Sequence, residues 1–149
     1  LHNRTHSFPT RRSSDLHDIG KIGIDEKIIN KKGPLDEDEW RIMKSHSERS
    51  HRILKNTFEF PEISPIVLYH HEQWDGSGYP EGLSGEAIPL EARIIAVADA
   101  FDAMTNPRPY RPTQPRQEAI RELQTYAGRQ FDPGVVDAFM ALVHRGLLE

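Results

Sequence analysis

Helix-start signals recur along this chain, whereas the strict alternation of apolar and polar residues that is typical of strands is scarce. Asp36 followed by Glu39 forms a capping-box pattern ahead of apolar residues spaced three and four apart. Asp25 is placed to cap a short helix, and Asp132-Pro133 combines an N-cap with a proline at the first helical position. These patterns predict an all-α domain.

Composition limits the kind of site that the chain can build. Its 149 residues suffice for one domain with a sizeable core, and no apolar run approaches the roughly 18–20 residues that a membrane span needs. Because the chain has no cysteine, a metal ion would have to be held by His, Asp and Glu. The net charge of −4 provides no basic field for nucleic acid, and we expect no DNA partner.

The first sixteen residues differ in character from the rest of the chain. They lack helical and strand periodicity, and the stretch from His6 to Leu16 reads like the conceptual translation of a common short-read sequencing adapter. We therefore expect residues 1–16 to be a disordered assembly artefact and the domain to occupy residues 17–149. The alternatives are a natural disordered tail and a transit peptide, and resequencing of unfragmented DNA distinguishes them.

Candidate metal ligands occur in two short islands. His17 is followed by Asp18, and His70 is followed by His71 and Glu72. Neighbours on an α-helix diverge by about 100°, so His17 and Asp18 can contact one ion only in a frayed or kinked turn, or can bridge two ions. Imidazole and carboxylate ligands together suit iron, manganese or zinc.

Two further candidates lie within apolar helical patterns. His46 is placed on the inward face of the helix that begins after Asp36, either as a ligand or as a hydrogen-bonded core histidine. Asp99 stands in an Ile-Ile-Ala-Val-Ala-Asp-Ala-Phe run, where its carboxylate must pair with a cation such as Arg93, be hydrogen-bonded or bind a metal. Lys21 is either a solvated surface lysine or a group that neutralises a metal-bound phosphate.

A glycine-rich loop extends from residue 75 to residue 89 and contains Gly78-Tyr79-Pro80. Its glycines permit tight turns and close backbone approach, and a purely structural turn is one interpretation of the Tyr-Pro pair. Asp75 at the start of this loop and Glu72 just before it are expected to be exposed, and their spacing alone gives them no role.

Together with Ala-Asp99-x-Phe-Asp102 and Arg108-Pro-Tyr-Arg111, these islands closely resemble the HD-GYP subgroup of the HD phosphohydrolases, in order, over essentially all of residues 17–145. The resemblance implies an all-α HD-domain helical bundle and a metal-dependent phosphodiesterase that hydrolyses cyclic di-GMP to linear pGpG and on to GMP. It also implies a cytoplasmic bacterial signalling protein, often a response regulator, that has an upstream sensory or receiver domain and can form a homodimer.

The resemblance further implies roles for individual residues. The expected ligands of two divalent ions, iron or manganese, are His17, Asp18, His46, His70, His71 and Asp99, with Asp18 as the bridging ligand. Lys21 and Asp18 are the expected catalytic residues, and the expected substrate contacts are Lys21, Tyr79, Arg108 and Arg111.

Two departures from the family pattern qualify this interpretation. Residues 1–16 stand where the family has helices, so the domain is expected to be truncated at its N-terminus, and a third metal site stays open. Ser50, four residues after His46, stands where the family usually has glycine, and we expect this change to be tolerated. The alternative function is a catalytically inactive regulatory HD domain that binds nucleotide or protein.

Overall fold

The computed structural model describes residues 16–57, 61–107 and 113–147, and the regular elements in those ranges are helices. Six α-helices occur there: α1 (Glu26–Ile29), α2 (Glu37–Lys55), α3 (Ser64–Leu68), α4 (Leu90–Thr105), α5 (Arg116–Thr125) and α6 (Pro133–His144). Short 3-10 helices cover Ile19–Gly23 and Gly85–Ala87. The predicted all-α fold class is confirmed. None of the helices in these ranges is long and apolar enough to cross a lipid bilayer.

The chain divides into two compact units, Leu1–His70 and His71–Glu149. In the first unit, α2 packs against α3 and against the 3-10 helix Ile19–Gly23. Leu54, Ile63 and Val67 form a buried apolar cluster, and Leu16 packs against it. Leu16 therefore has a structural place beside α2, while the proposed adapter origin of residues 1–16 stays a prediction.

The capping box predicted for α2 is present. The Asp36 carboxylate accepts a hydrogen bond from the Glu39 amide at 2.9 Å, and the Glu39 carboxylate accepts one from the Asp36 amide at 2.8 Å. These bonds satisfy amides that the helix itself leaves without partners. Arg52 and Lys55 in the last turn complement the negative end of the helix dipole. The capped helix is a stable support for His46, which lies at its centre.

The core of the second unit lies among α4, α5 and α6. Its buried members are Val97, Met104, Ala119, Leu123, Phe131 and Val136. Asp132 caps α6 as predicted, because its carboxylate accepts a hydrogen bond from the Gly134 amide at 2.8 Å. The same carboxylate forms a partly buried ion pair with Arg93 of α4 at 2.6 Å. One residue thus starts α6 and fastens it to α4.

Candidate metal centre

His17 and Asp18 lie in a turn immediately before the 3-10 helix Ile19–Gly23. Asp18 has φ −97° and ψ 4°, and its carbonyl accepts a hydrogen bond from the Lys21 amide at 2.9 Å. Because this backbone is not regular α-helix, the two neighbouring side chains converge, with His17 Nε2 3.5 Å from Asp18 Oδ2. This is the irregular turn that the sequence required if both residues were to contact one ion.

Three imidazoles of the first unit gather around the Asp18 carboxylate. His46 Nε2 lies 3.5 Å from Asp18 Oδ1. The His70 ring meets the rings of His17 and His46 edge-on, at centroid distances of 5.1 and 5.5 Å. One ligand atom each from His17, Asp18 and His70 lies within 4.8 Å of the other two. The fold therefore brings together four predicted ligands from three separate stretches of sequence.

The backbone determines which imidazole nitrogen is available to a metal ion. His46 Nδ1 lies 2.7 Å from the Met43 carbonyl, and His70 Nδ1 lies 2.6 Å from the Val67 carbonyl. A carbonyl oxygen can only accept, so Nδ1 carries the proton in both rings and Nε2 carries the lone pair. Hydrogen bonds of this kind orient the histidine ligands of metal ions.

Burial keeps two of these histidines neutral. It lowers the pKa of His70, which is 2% exposed, to about 3, although the hydrogen bond to the Val67 carbonyl acts in the opposite direction. Burial also lowers the pKa of His46. Burial alone would raise the pKa of Asp18, but the hydrogen bond and charge of Lys21 together with the nearby imidazoles lower it. At neutral pH His46 and His70 are therefore neutral and Asp18 is ionised, which are the protonation states that bind divalent cations.

The Asp18 carboxylate tests whether these residues fit a metal ion. Its Oδ2 accepts a hydrogen bond from Lys21 Nζ at 2.7 Å, whereas its Oδ1 is buried and accepts none from any residue that the structure describes. A buried anionic oxygen without a hydrogen bond is costly, and a cation would remove that cost. The imidazole nitrogens and carboxylate oxygens suit iron, manganese or zinc. The residues present therefore fit a divalent metal ion.

In the second unit, His71 begins the loop that carries Gly78-Tyr79-Pro80. The Tyr79 ring stacks on the His71 ring, with centroids 4.9 Å apart and planes at 26°, and the Tyr79 amide donates to the His71 carbonyl at 3.3 Å. A Cβ on Gly78 would lie 2.3–2.6 Å from backbone atoms of residues 71–73, so this close return of the chain requires glycine. Tyr79, predicted to contact substrate, is thus in contact with a predicted ligand.

Glu72 was predicted to be exposed, and that prediction is wrong. The residue is 4% exposed, and its Oε1 accepts hydrogen bonds from the amides of Glu81 at 2.8 Å and Gly82 at 3.0 Å. It therefore closes the loop over residues 73–82. The available signal was that a loop rich in glycine has amides in need of acceptors, with an acidic residue at its base. Asp75 is exposed as predicted, and its Oδ1 accepts from the Ser77 amide at 2.9 Å.

Three predicted site residues remain, Asp99, Arg108 and Arg111. Asp99 lies on α4 in the second unit and is partly buried. Arg93, suggested from the sequence as its ion-pair partner, pairs with Asp132. Arg108 and Arg111 fall outside the residues that the structure describes, so their contacts with substrate phosphate stay predictions.

Acid is expected to destabilise the metal-free protein through His70. Its pKa is about 3 in the folded chain against 6.5 ordinarily, so between these values only the unfolded chain takes up a proton. The stability that the neutral ring provides is complete above the unfolded pKa and is lost as pH falls, by about 1.4 kcal/mol per pH unit. Urea unfolding of chelator-treated protein at a series of pH values below neutrality measures this slope.

His70→Gln should flatten that slope, whereas His144→Gln, at the exposed end of α6, should leave it unchanged. His46 is buried and has a lowered pKa, so some slope should persist in His70→Gln. Equal slopes in the parent and in His70→Gln would contradict the assignment of acid sensitivity to this ring.

Comparison with known proteins identifies relatives of this chain. A model of the HD domain matches residues 3–135. A cyclic di-GMP phosphodiesterase of Thermotoga maritima is 47% identical over 87% of this chain and 36% of its own length. The cyclic di-GMP phosphodiesterase response regulator RpfG of Xanthomonas campestris pv. campestris is 46% identical over 86% of the chain and 34% of its own. A 3′3′-cGAMP-specific phosphodiesterase 3 of Vibrio cholerae is 40% identical over 89% of this chain and 28% of its own length.

The chain spans between 28% and 36% of the length of these three curated relatives. Among solved structures, a cyclic GMP-AMP specific phosphodiesterase of Vibrio cholerae superposes with a TM-score of 0.70 at 21% identity, covering 91% of this chain and 38% of that one. At this identity the likeness concerns the fold, and it agrees with the helical architecture described above. With the family match extending over most of its length, the chain belongs to the HD domain family.

Proposed function

We propose that this chain is the hydrolytic part of a metal-dependent phosphodiesterase that cleaves cyclic di-GMP to linear pGpG and on to GMP. The observation that carries the proposal is the cluster of His17, Asp18, His46 and His70 around one carboxylate. Relatives named as cyclic di-GMP phosphodiesterases align with 86–87% of the chain at 46–47% identity, which supports this substrate.

Two divalent ions, iron or manganese, are the proposed cofactors. Their proposed ligands are His17, Asp18, His46, His70, His71 and Asp99. Bound ions would supply the Lewis acidity that activates water and offsets charge on the phosphate. Asp18 suits a bridging position because its two oxygens face different imidazoles, Oδ2 at 3.5 Å from His17 and Oδ1 at 3.5 Å from His46.

Lys21 is proposed to neutralise charge on the reacting phosphate and to protonate the leaving oxygen. Its ammonium lies 2.7 Å from Asp18 Oδ2, and its side chain is 35% exposed. The group is therefore fixed beside the carboxylate and still accessible to a substrate that arrives from solvent. Tyr79, Arg108 and Arg111 are proposed to contact the substrate.

A second candidate substrate is 3′3′-cGAMP, because a relative 40% identical over 89% of the chain carries that specificity in its name. The two cyclic dinucleotides share the same pair of phosphodiester bonds and differ in one base. The proposed metal cluster would act on the phosphodiester bonds, which both dinucleotides contain. It therefore gives no basis for choosing between the two substrates. An upstream sensory or receiver domain is the proposed regulatory partner, in keeping with the response-regulator name of one relative.

The test is an assay of the full-length parent protein, expressed from resequenced DNA, with each cyclic dinucleotide in the presence of Mn²⁺ or Fe²⁺. We expect linear product from cyclic di-GMP, measured by chromatography, and none after treatment with a chelator. Faster cleavage of 3′3′-cGAMP would reassign the substrate. If the protein binds the nucleotide but forms no product with either metal ion, the inactive regulatory alternative would be favoured.

A further inference from the structure

Ser50 of α2 bonds to both sides of the turn that carries the metal ligands. Its hydroxyl accepts a hydrogen bond from the Gly20 amide at 2.7 Å and donates one to the His17 carbonyl at 3.0 Å. Its side chain is fully buried, at 0% exposure. The two bonds enclose Asp18 in sequence, so they fasten the ligand-bearing turn on either side of that residue.

The turn and the helix are also in close backbone contact at this point. A Cβ on Gly20 would lie 2.1 Å from the His46 carbonyl and 2.7 Å from the Ser50 amide. Arg49 also bonds to the Gly23 carbonyl, but at the far end of the 3-10 helix. Of these two hydrogen-bonding side chains of α2, Ser50 is the one that lies next to His17 and Asp18.

We infer that Ser50 is a positioning residue, whose hydroxyl fixes the separation between His46 on α2 and the His17-Asp18 pair. The inference rests on the metal site of the proposed function. The Ser50 hydroxyl satisfies the Gly20 amide and the His17 carbonyl. Without these bonds the two backbone groups could move, and the ligands His17 and Asp18 would move with them.

Titration of the full chain with Mn²⁺, followed by calorimetry, tests the inference. Ser50→Ala should weaken Mn²⁺ binding by about 10-fold, as loss of hydrogen bonds behind a ligand commonly does. Ser47→Ala is the matched control, because Ser47 is equally buried on the same helix but donates to the Lys44 carbonyl within that helix. Ser50→Thr retains the hydroxyl and should retain most of the affinity.

The visible spectrum of the Co²⁺-loaded protein provides a second readout, which should change in Ser50→Ala and stay unchanged in Ser47→Ala. Unaltered Mn²⁺ affinity in Ser50→Ala, or an equal loss of affinity in Ser47→Ala, would overturn the inference about Ser50. Either result would be compatible with the proposed metal centre. A parent chain that binds no Mn²⁺ would overturn both.

The comparison of variants requires that Ser50→Ala folds. A further measurement uses the unaltered protein and does not depend on the folding of any variant. Adding Mn²⁺ should slow hydrogen exchange at the Gly20 amide, because ligand binding would hold the turn against the Ser50 hydroxyl. Unchanged exchange at Gly20 in a protein that binds Mn²⁺ would overturn the inference.

Discussion

Replacing Asp18 with alanine is expected to reduce the turnover of cyclic di-GMP by about 10³-fold or more, a loss of roughly 4 kcal/mol in transition-state stabilisation. Asp18 provides the carboxylate around which His17, His46 and His70 gather, and its two oxygens face His17 and His46. Removing it deletes the proposed bridging ligand and also the anionic partner of Lys21. Steady-state assays with Mn²⁺, combined with measurement of bound metal, test this result.

Asp38→Ala is the matched control, because Asp38 is 81% exposed on α2 and pairs only with the surface residue Arg41 among the described contacts. Surface ion pairs of this kind contribute little, so its activity should equal that of the parent. Asp18→Asn should lose nearly as much activity as Asp18→Ala, because it keeps the shape of the side chain and loses its charge. Substantial activity in Asp18→Ala would contradict the two-metal proposal.

Gly20→Ala is expected to lower the free energy of unfolding by about 3 kcal/mol or more and to abolish metal binding at the same time. The added Cβ would lie 2.1 Å from the His46 carbonyl, which is a backbone atom and cannot move aside as a side chain would. The turn would have to move away from α2, and His17 and Asp18 would move with it. Urea denaturation and Mn²⁺ titration measure the two effects.

Gly134→Ala in α6 provides the comparison, because its Cβ would meet one side-chain oxygen of Asp132 at 3.3 Å. Alanine has the better helix propensity, so we expect a change within about 1 kcal/mol. A small effect of Gly20→Ala, similar to that of Gly134→Ala, would show that the turn can separate from α2 without harm.

The features that the sequence predicted well are those determined by neighbouring residues. The Asp36–Glu39 capping box and the Asp132 cap involve partners two or three residues away, and both are present. The irregular turn at His17-Asp18 was one of two alternatives that the sequence left open, because adjacent side chains diverge on a regular helix. The clustering of ligands from distant segments followed from the family resemblance, since spacing alone does not bring His46 to Asp18.

The features that were missed depend on which side of an element meets the rest of the fold. On α2, a spacing of three and four residues would place Trp40 and Ile53 on the same face as His46, yet they are 48% and 44% exposed. The buried residues of α2 are His46, Ser47, Ser50 and Leu54, and the turn approaches the helix at His46 and Ser50. Glu72 was missed for a related reason, because its partners are backbone amides nine and ten residues away.

The carbonyls of Met43 and Val67, which bond to His46 and His70, have a further consequence. In the proposed metal site they would form an outer coordination sphere made of backbone atoms. Substitution of a side chain does not remove such an acceptor, and an alignment of side-chain identities would not reveal it. Any residue at position 43 or 67 that keeps the local helical backbone provides the same acceptor. The orientation of these two proposed ligands thus depends on the helical backbone, and it tolerates substitution of the neighbouring side chains.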